Sequence, residues 1–266
     1  MFSSRKNNKF LLILQFLIFF MGISTAAYLY LAFGHLEWKH IPFHSTIEAV
    51  GGMVAILIAC VLYQKELQEI NSFFFTATGF ACMGVLDLFH AASLPGEVFV
   101  FLHSTASLCG GFFFALIWLP DKLIKRYAKE QRWIAGLSIL LAVSIGLRAM
   151  FYPHNLPDIL RVYKGEFTNV AIAINITASL LFLASIPKFH EKYRKTQQSP
   201  YLLFMGMALL FGTAELLFQF SNKWNGIWWT WHCLRITAYF MTLVFIADRY
   251  IYLLQRYRLD NGDAIK

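Results

Sequence analysis

The stretch FHSTIEAVGGMVAILIAC, residues 43–60, places His44 and Glu48 four positions apart at the start of an otherwise apolar run. An apolar run of about 20 residues is long enough to cross the roughly 30 Å hydrocarbon core of a bilayer as an α-helix. An imidazole and a carboxylate in such a helix are costly unless partners or water satisfy them. The stretch therefore predicts a membrane helix that turns one polar face into a bundle.

Apolar runs of similar length recur along the whole chain of 266 residues, which is 58% hydrophobic and only 14% charged. Its mean hydropathy is +0.54. No segment shows strand alternation, and a chain that spans lipid is either helical or a closed barrel. We therefore predict an all-α, polytopic membrane bundle of about eight transmembrane helices. The predicted spans are 10–33, 44–63, 72–92, 98–119, 133–152, 167–187, 199–220 and 227–250.

The lysines and arginines between the spans predict the orientation of the bundle. Seventeen lie in the N-terminus, alternate loops and the C-terminal tail, whereas the other loops hold four. The positive-inside rule then places both termini in the cytoplasm. This topology explains the net charge of +8 without a nucleic-acid partner. The first span continues to Phe33, longer than the apolar part of a secretory signal, so we expect it to be retained.

Nine ionisable residues lie inside the predicted spans, all within roughly 12 Å of the predicted outer boundary at 1.5 Å per residue. Spacings of three or four residues place several of them on common helix faces, which should point into the bundle. The nine residues are His44, Glu48, Asp87, His90, His103, Arg148, Glu215, His232 and Arg235.

Imidazoles and carboxylates drawn from several helices are typical ligands of first-row transition metals. We predict a site for zinc, iron, copper or manganese, with haem as the less suitable alternative because carboxylates lie so close to the histidines. Three of the nine residues, Arg148, Glu215 and Arg235, are interpreted as members of supporting ion pairs. The candidate metal ligands are His44, Glu48, Asp87, His90, His103 and His232.

Several of these candidate ligands also have a purely structural interpretation. Asp87 could orient His90 through a hydrogen bond, either in a purely structural pair or behind a metal. His103 could be a core histidine satisfied by neighbouring serines. His232 lies among tryptophans, as a residue of an interfacial aromatic belt would.

Two stretches carry a resemblance to a known family: FHSTIEAVGGMVAILIA, residues 43–59, and GFACMGVLDLFHAASLPGEVF, residues 79–99. Their H-x-x-x-E and D-x-x-H patterns resemble the MASE group of membrane-associated sensor domains, most closely the MASE3 type. The resemblance implies that His44, Glu48, Asp87 and His90 are signature positions. It also implies a location in the bacterial inner membrane. It further implies an input module for a cytoplasmic output domain of the diguanylate cyclase (GGDEF) or histidine kinase type, with homodimers formed through that output.

The last predicted span continues into an extended helical stretch, as expected for a rod that carries a signal into the cytoplasm. We predict a sensor domain over residues 1–255 and a linker stub over 256–266. The output module is either truncated from this chain or carried by a partner, and we expect the chain itself to be a sensor and not an enzyme. The alternative is an intramembrane metal hydrolase of lipid amides or esters, with Glu48 or Asp87 as base. A transporter is less favoured, because matched pairs of broken helices are missing from the sequence pattern.

Overall fold

The computed structural model describes residues 5–64, 73–127, 130–161 and 166–262. Within these ranges, the side chains of residues 5–9, 125, 161 and 245–262 are outside the description. The described helices are α1 (Arg5–Phe33), α2 (Ile41–Tyr63), α3 (Phe74–Ala92), α4 (Glu97–Ala115), α5 (Asp121–Arg126), α6 (Gln131–Phe151), α7 (Asn169–Thr196), α8 (Ser199–Phe218) and α9 (Gly226–Gly262).

Seven of the described helices are long and apolar enough to cross a membrane, which confirms the prediction of an all-α polytopic bundle. The eighth predicted span lies within α9, which is not among the seven. Its side chains beyond Val244 are outside the description, so a count of eight stays a prediction. The orientation of the termini likewise stays a prediction.

The connections add short elements that the sequence pattern did not predict. α5 and the 3₁₀ turns Leu116–Trp118 and Pro153–Asn155 lie between longer helices. Two-residue strands, β1 (Leu160–Arg161) and β2 (Glu166–Phe167), pair antiparallel between α6 and α7. Glu97, at the start of α4, secures this connection because its carboxylate accepts hydrogen bonds from the backbone N–H groups of Ile159 and Leu160.

Six of the described helices surround the interior of the bundle. Each contacts the next in the order α2, α3, α4, α7, α8 and α9, and a contact between α9 and α2 closes the ring. α6 packs outside this ring against α3, and α1 packs outside it against α8 and α9. This arrangement brings helices that are distant in sequence, such as α2 and α9, side by side.

Glycines allow α2 and α3 to approach each other closely. A Cβ atom on Gly84 would lie 2.6 Å from the backbone oxygen of Gly52, and one on Gly52 would lie 2.9 Å from the oxygen of Gly84. Small residues permit such backbone contact between membrane helices. Gly52 lies one turn from Glu48, and Gly84 lies one turn from Asp87, so this contact sets the separation of the helices beside the predicted site.

Surface and interior have the polarity expected of a protein in lipid. Large apolar side chains on α1 and α6, including Leu31, Met21 and Trp133, are exposed. The interior, by contrast, holds buried acids, histidines and an arginine. An extensive exposed apolar surface of this kind indicates a membrane-embedded protein.

Candidate functional site

Eight of the nine predicted residues are buried near one end of the bundle, which we call the site end. α2, α4 and α9 begin at this end, and α3 and α8 end there. His44 lies in the first turn of α2, and His90 lies in the last turn of α3. The eight residues are His44, Glu48, Asp87, His90, His103, Glu215, His232 and Arg235.

The residues form two adjoining groups, and the first of them has the composition of a metal site. It consists of His44, Glu48, His90 and His232 and is called the His/Glu cluster below. Each residue offers one candidate ligand atom, and these atoms all lie within 4.8 Å of one another. Nε2 of His44 lies 2.9 Å from Nε2 of His232, and Oε1 of Glu48 lies 3.4 Å from the same His232 atom.

Backbone carbonyls orient two of the cluster histidines. Nδ1 of His90 donates to the carbonyl oxygen of Phe99 at 2.7 Å, and Nδ1 of His232 donates to that of Trp228 at 2.7 Å. These bonds leave Nε2 of each neutral ring with a lone pair directed into the cluster. Nε2 of His90 has no hydrogen-bond partner among the described residues, although it is buried. A buried ring nitrogen without a partner suits a ligand position.

The second group is centred on the buried side chain of Arg235. Nη2 of Arg235 lies 3.0 and 2.9 Å from the two carboxylate oxygens of Asp87, and Nη1 lies 3.0 Å from Oε1 of Glu215. Nη1 also donates to Ser107, whose hydroxyl donates to Glu215, and the Tyr239 hydroxyl donates to Asp87 at 3.1 Å. This arginine network connects α3, α4, α8 and α9.

Asp87 and His103 belong to the arginine network and not to the His/Glu cluster, although both were predicted to be metal ligands. Both oxygens of Asp87 accept hydrogen bonds from Arg235. The two ring nitrogens of His103 lie 3.2 and 3.4 Å from Nη1 of Arg235. His90 donates to the carbonyl oxygen of Phe99 and not to Asp87 as predicted, because Asp87 is engaged by the stronger, charged donor Arg235.

Arg148 is not brought to the site, and its predicted ion pair is absent from the described part of the structure. The side chain is exposed on α6, a helix that packs outside the ring. Gly146 of α6 faces Phe89 of α3 at close range. Two residues further on, a helix has turned by roughly 200°, so Arg148 points away from α3.

Sequence reasoning missed Tyr239 and underrated Ser107, both of which bind the carboxylates of the arginine network. Tyr239 lies four residues after Arg235, so helical spacing alone could have placed it on the same face. The carbonyl groups that orient His90 and His232 could not be identified from the sequence, because every residue has a backbone carbonyl. Their role was visible only in the tertiary structure.

Aromatic rings enclose the His/Glu cluster. The ring centroids of Trp228 and Trp231 lie 3.8 and 3.6 Å from that of His232. The ring of Phe99 lies 4.1 Å from His90 and 4.8 Å from His44. The cluster is therefore a polar group in a nonpolar enclosure, where a bound cation would be shielded from water.

These features together define a polytopic membrane protein with a buried polar site near one end of its bundle. A family model for membrane-associated sensor domains, MASE3, matches residues 37–251. The chain belongs to this family, so it is a membrane-associated sensor domain and a multi-pass membrane protein. No curated protein and no solved structure matches the chain.

Proposed function

We propose that this chain is the sensory input domain of a bacterial signalling protein, and that its His/Glu cluster binds a transition-metal ion or a small ligand attached to one. The group His44, Glu48, His90 and His232 is the observation that carries the proposal. Three imidazoles and one carboxylate suit zinc, iron, copper or manganese. The close enclosure by Trp228 and Trp231 favours a single ion over haem, which would need a wide slot between its axial ligands.

The proposed signal leaves the site through α9. His232 and Arg235 lie near the start of this helix, which runs unbroken for 37 residues. A helix of that length extends about 55 Å, well beyond the hydrocarbon core. A ligand that favours one packing of α2, α3 and α9 would therefore shift a rod that reaches outside the membrane.

The proposed setting follows the predicted orientation. The site end faces the periplasm, the domain lies in the bacterial inner membrane, and α9 enters the cytoplasm. There it connects to an output domain of the diguanylate cyclase or histidine kinase type, through which the protein forms homodimers. The boundary near residue 255 falls within α9, and the predicted linker's last four residues, 263–266, lie outside the described residues.

Elemental analysis of the detergent-purified domain tests the proposal. We expect a bound transition metal in the wild type and its loss in His90→Ala, because Nε2 of His90 is a buried candidate ligand without a partner. His103→Ala is the matched control, since His103 is equally buried but lies in the arginine network. It should retain the metal. Equal metal content in all three proteins would contradict the proposal, and a Soret absorption band would identify haem instead.

Two features count against the alternative function as a metal hydrolase. Glu48 lies among the candidate ligand atoms, so it is not a separate base beside them. Asp87, the other candidate base, accepts hydrogen bonds from Arg235 and Tyr239. A hydrolase needs a base that is free to take a proton from a water molecule.

A further inference from the structure

The charges buried beside the His/Glu cluster constrain which ligand it can take. Asp87 and Glu215 share a single guanidinium, that of Arg235. Oε2 of Glu215 has no hydrogen-bond partner among the described residues, and Nε2 of His103 lies 3.6 Å from it. With both acids ionised and His103 neutral, the arginine network carries one excess negative charge. Glu48, as a ligand, adds a second, and buried charge of this kind has to be compensated.

The geometry points to a divalent first-row cation as the ligand itself, held by four protein donors with no coordination position left for a small molecule. This inference rests on the proposed function and narrows it. Two positive charges balance Glu48 and the excess charge of the arginine network. Nitrogen and oxygen donors suit divalent ions of this series better than soft monovalent copper. Aromatic ring centroids lie within 4.8 Å of those of His44, His90 and His232, and this crowding disfavours an additional ligand.

Glu215 is then a specificity-determining residue, although it is not a ligand. In Glu215→Gln, we expect the affinity for Zn²⁺ to fall about tenfold more than the affinity for Ag⁺, because the lost charge acts twice as strongly on a divalent ion. Both affinities are measured by titration of the metal-free, detergent-purified domain. Ser107→Ala is the matched control: it removes a hydrogen bond to the same carboxylate without changing its charge.

Each outcome of this titration has a separate meaning. An equal loss of Zn²⁺ and Ag⁺ affinity in Glu215→Gln, or no loss of either, overturns the charge argument while metal binding stands. A wild type that binds no Zn²⁺ contradicts the proposed function itself. Azide added to the Co²⁺-loaded protein should leave the visible spectrum unchanged, and a spectral shift would show an open coordination position.

Two connections between helices cover the His/Glu cluster. The α1–α2 connection and the α8–α9 connection are tied together at the site end. Glu37 and Asn225 form an antiparallel bridge, and the backbone N–H of Trp38 donates to the carbonyl of Trp224 at 2.9 Å. Nε1 of Trp229 donates to the carbonyl of Trp38 at 3.0 Å. We call these two connections the strap.

Trp224 is the part of the strap that lies over the cluster. Its ring is buried, with its centroid 5.8 Å from that of His44. Its φ angle of 73° lies in the left-handed region, which a bulky residue rarely adopts. Burial lowers the pKa of Lys223 and Lys39 on the opposite connection lowers it further, whereas Glu37 and Glu97 act in the opposite direction. The strained backbone at Trp224 favours release of this cover.

We infer that the strap is a gate, and that separation of Trp38 from Trp224 admits the ion to the His/Glu cluster. The bridge offers a direct test. Residues paired in an antiparallel bridge have Cα atoms about 4.5–5.5 Å apart, which a disulfide can span. The double variant Glu37→Cys, Asn225→Cys should therefore hold the gate shut when oxidised and release it when reduced.

The measurement is Co²⁺ uptake by the metal-free domain, followed by absorbance after rapid mixing. We expect the oxidised double variant to lose the fast phase of uptake and the reduced form to regain it, with the final amount bound unchanged. The reduced form is the matched control. Asn225→Cys also removes the side chain that caps α9 at Trp228, and both redox forms lack this cap equally. Wild type under the same oxidising conditions controls for the native cysteines. Equal uptake rates in both redox states would overturn the gate. Absence of Co²⁺ binding in wild type would contradict the proposed function itself.

Discussion

Replacing Arg235 by methionine is expected to lower the free energy of unfolding by about 3–5 kcal/mol, the usual cost of removing one partner of a buried charge pair. Arg235 is buried and joins Asp87 to Glu215, so its loss leaves two carboxylates facing each other without a cation. Thermal and denaturant unfolding in detergent micelles would measure the change. Lys192→Met is the matched control, because Lys192 pairs with Asp121, whose side chain is exposed. Such surface pairs contribute roughly 0–1 kcal/mol.

A compensated variant separates loss of the charge pair from loss of packing. The triple variant Arg235→Met, Asp87→Leu, Glu215→Met replaces all three charged groups by apolar side chains and should recover most of the lost stability. Replacement of a complete buried ion network by apolar residues of similar volume is often neutral or stabilising. A triple variant as unstable as Arg235→Met alone would show that the shape of Arg235 matters and that its charge does not. An Arg235→Met protein as stable as wild type would contradict the electrostatic account.

Substitution of Gly84 by valine is expected to separate α2 from α3 and to cost about 3 kcal/mol of unfolding free energy, the upper range for overpacking. Even the Cβ atom would lie 2.6 Å from the backbone oxygen of Gly52 and 2.7 Å from Ile56. A backbone oxygen cannot move aside as a flexible side chain can. Because His90 and His44 lie on these two helices, the same substitution should weaken metal binding at the cluster.

The control for this prediction is Gly136→Val on α6, where an added Cβ meets nothing within 4 Å. Its stability should stay within about 0.5 kcal/mol of wild type. Unfolding in micelles and metal content are measured for both variants side by side. Equal stability of the two valine variants would show that the glycine contact does not determine the separation of α2 and α3.

The candidate site was predictable to the extent that its residues are costly in lipid. His44, Glu48, His90 and His232 were identifiable because each polar group interrupts an apolar span, and helical spacing gave the face of each helix. The division into two groups was not predictable. Asp87 and His90 share one helix face in sequence, yet Asp87 binds Arg235 of α9 whereas His90 binds a backbone carbonyl of α4.

Arg148 is a polar residue in a predicted span that did not turn out to be buried. Depth along a helix follows from residue number, so the sequence correctly placed Arg148 near the end of α6. Its direction depends on which side of α6 packs against the bundle, and only one side does. An intramembrane charge was therefore a good but incomplete indicator of a buried partner.

The sequence by itself determined that this protein is an all-α membrane bundle, because the lengths of its apolar runs and the satisfaction of backbone hydrogen bonds in lipid allow no other class. It also determined which polar residues have to find partners. Only the tertiary structure decided which partners they find. That choice depends on the close contact of α2 with α3 through Gly52 and Gly84, and on the packing of α9 against α2, between residues nearly 200 positions apart, for which local sequence carries no signal.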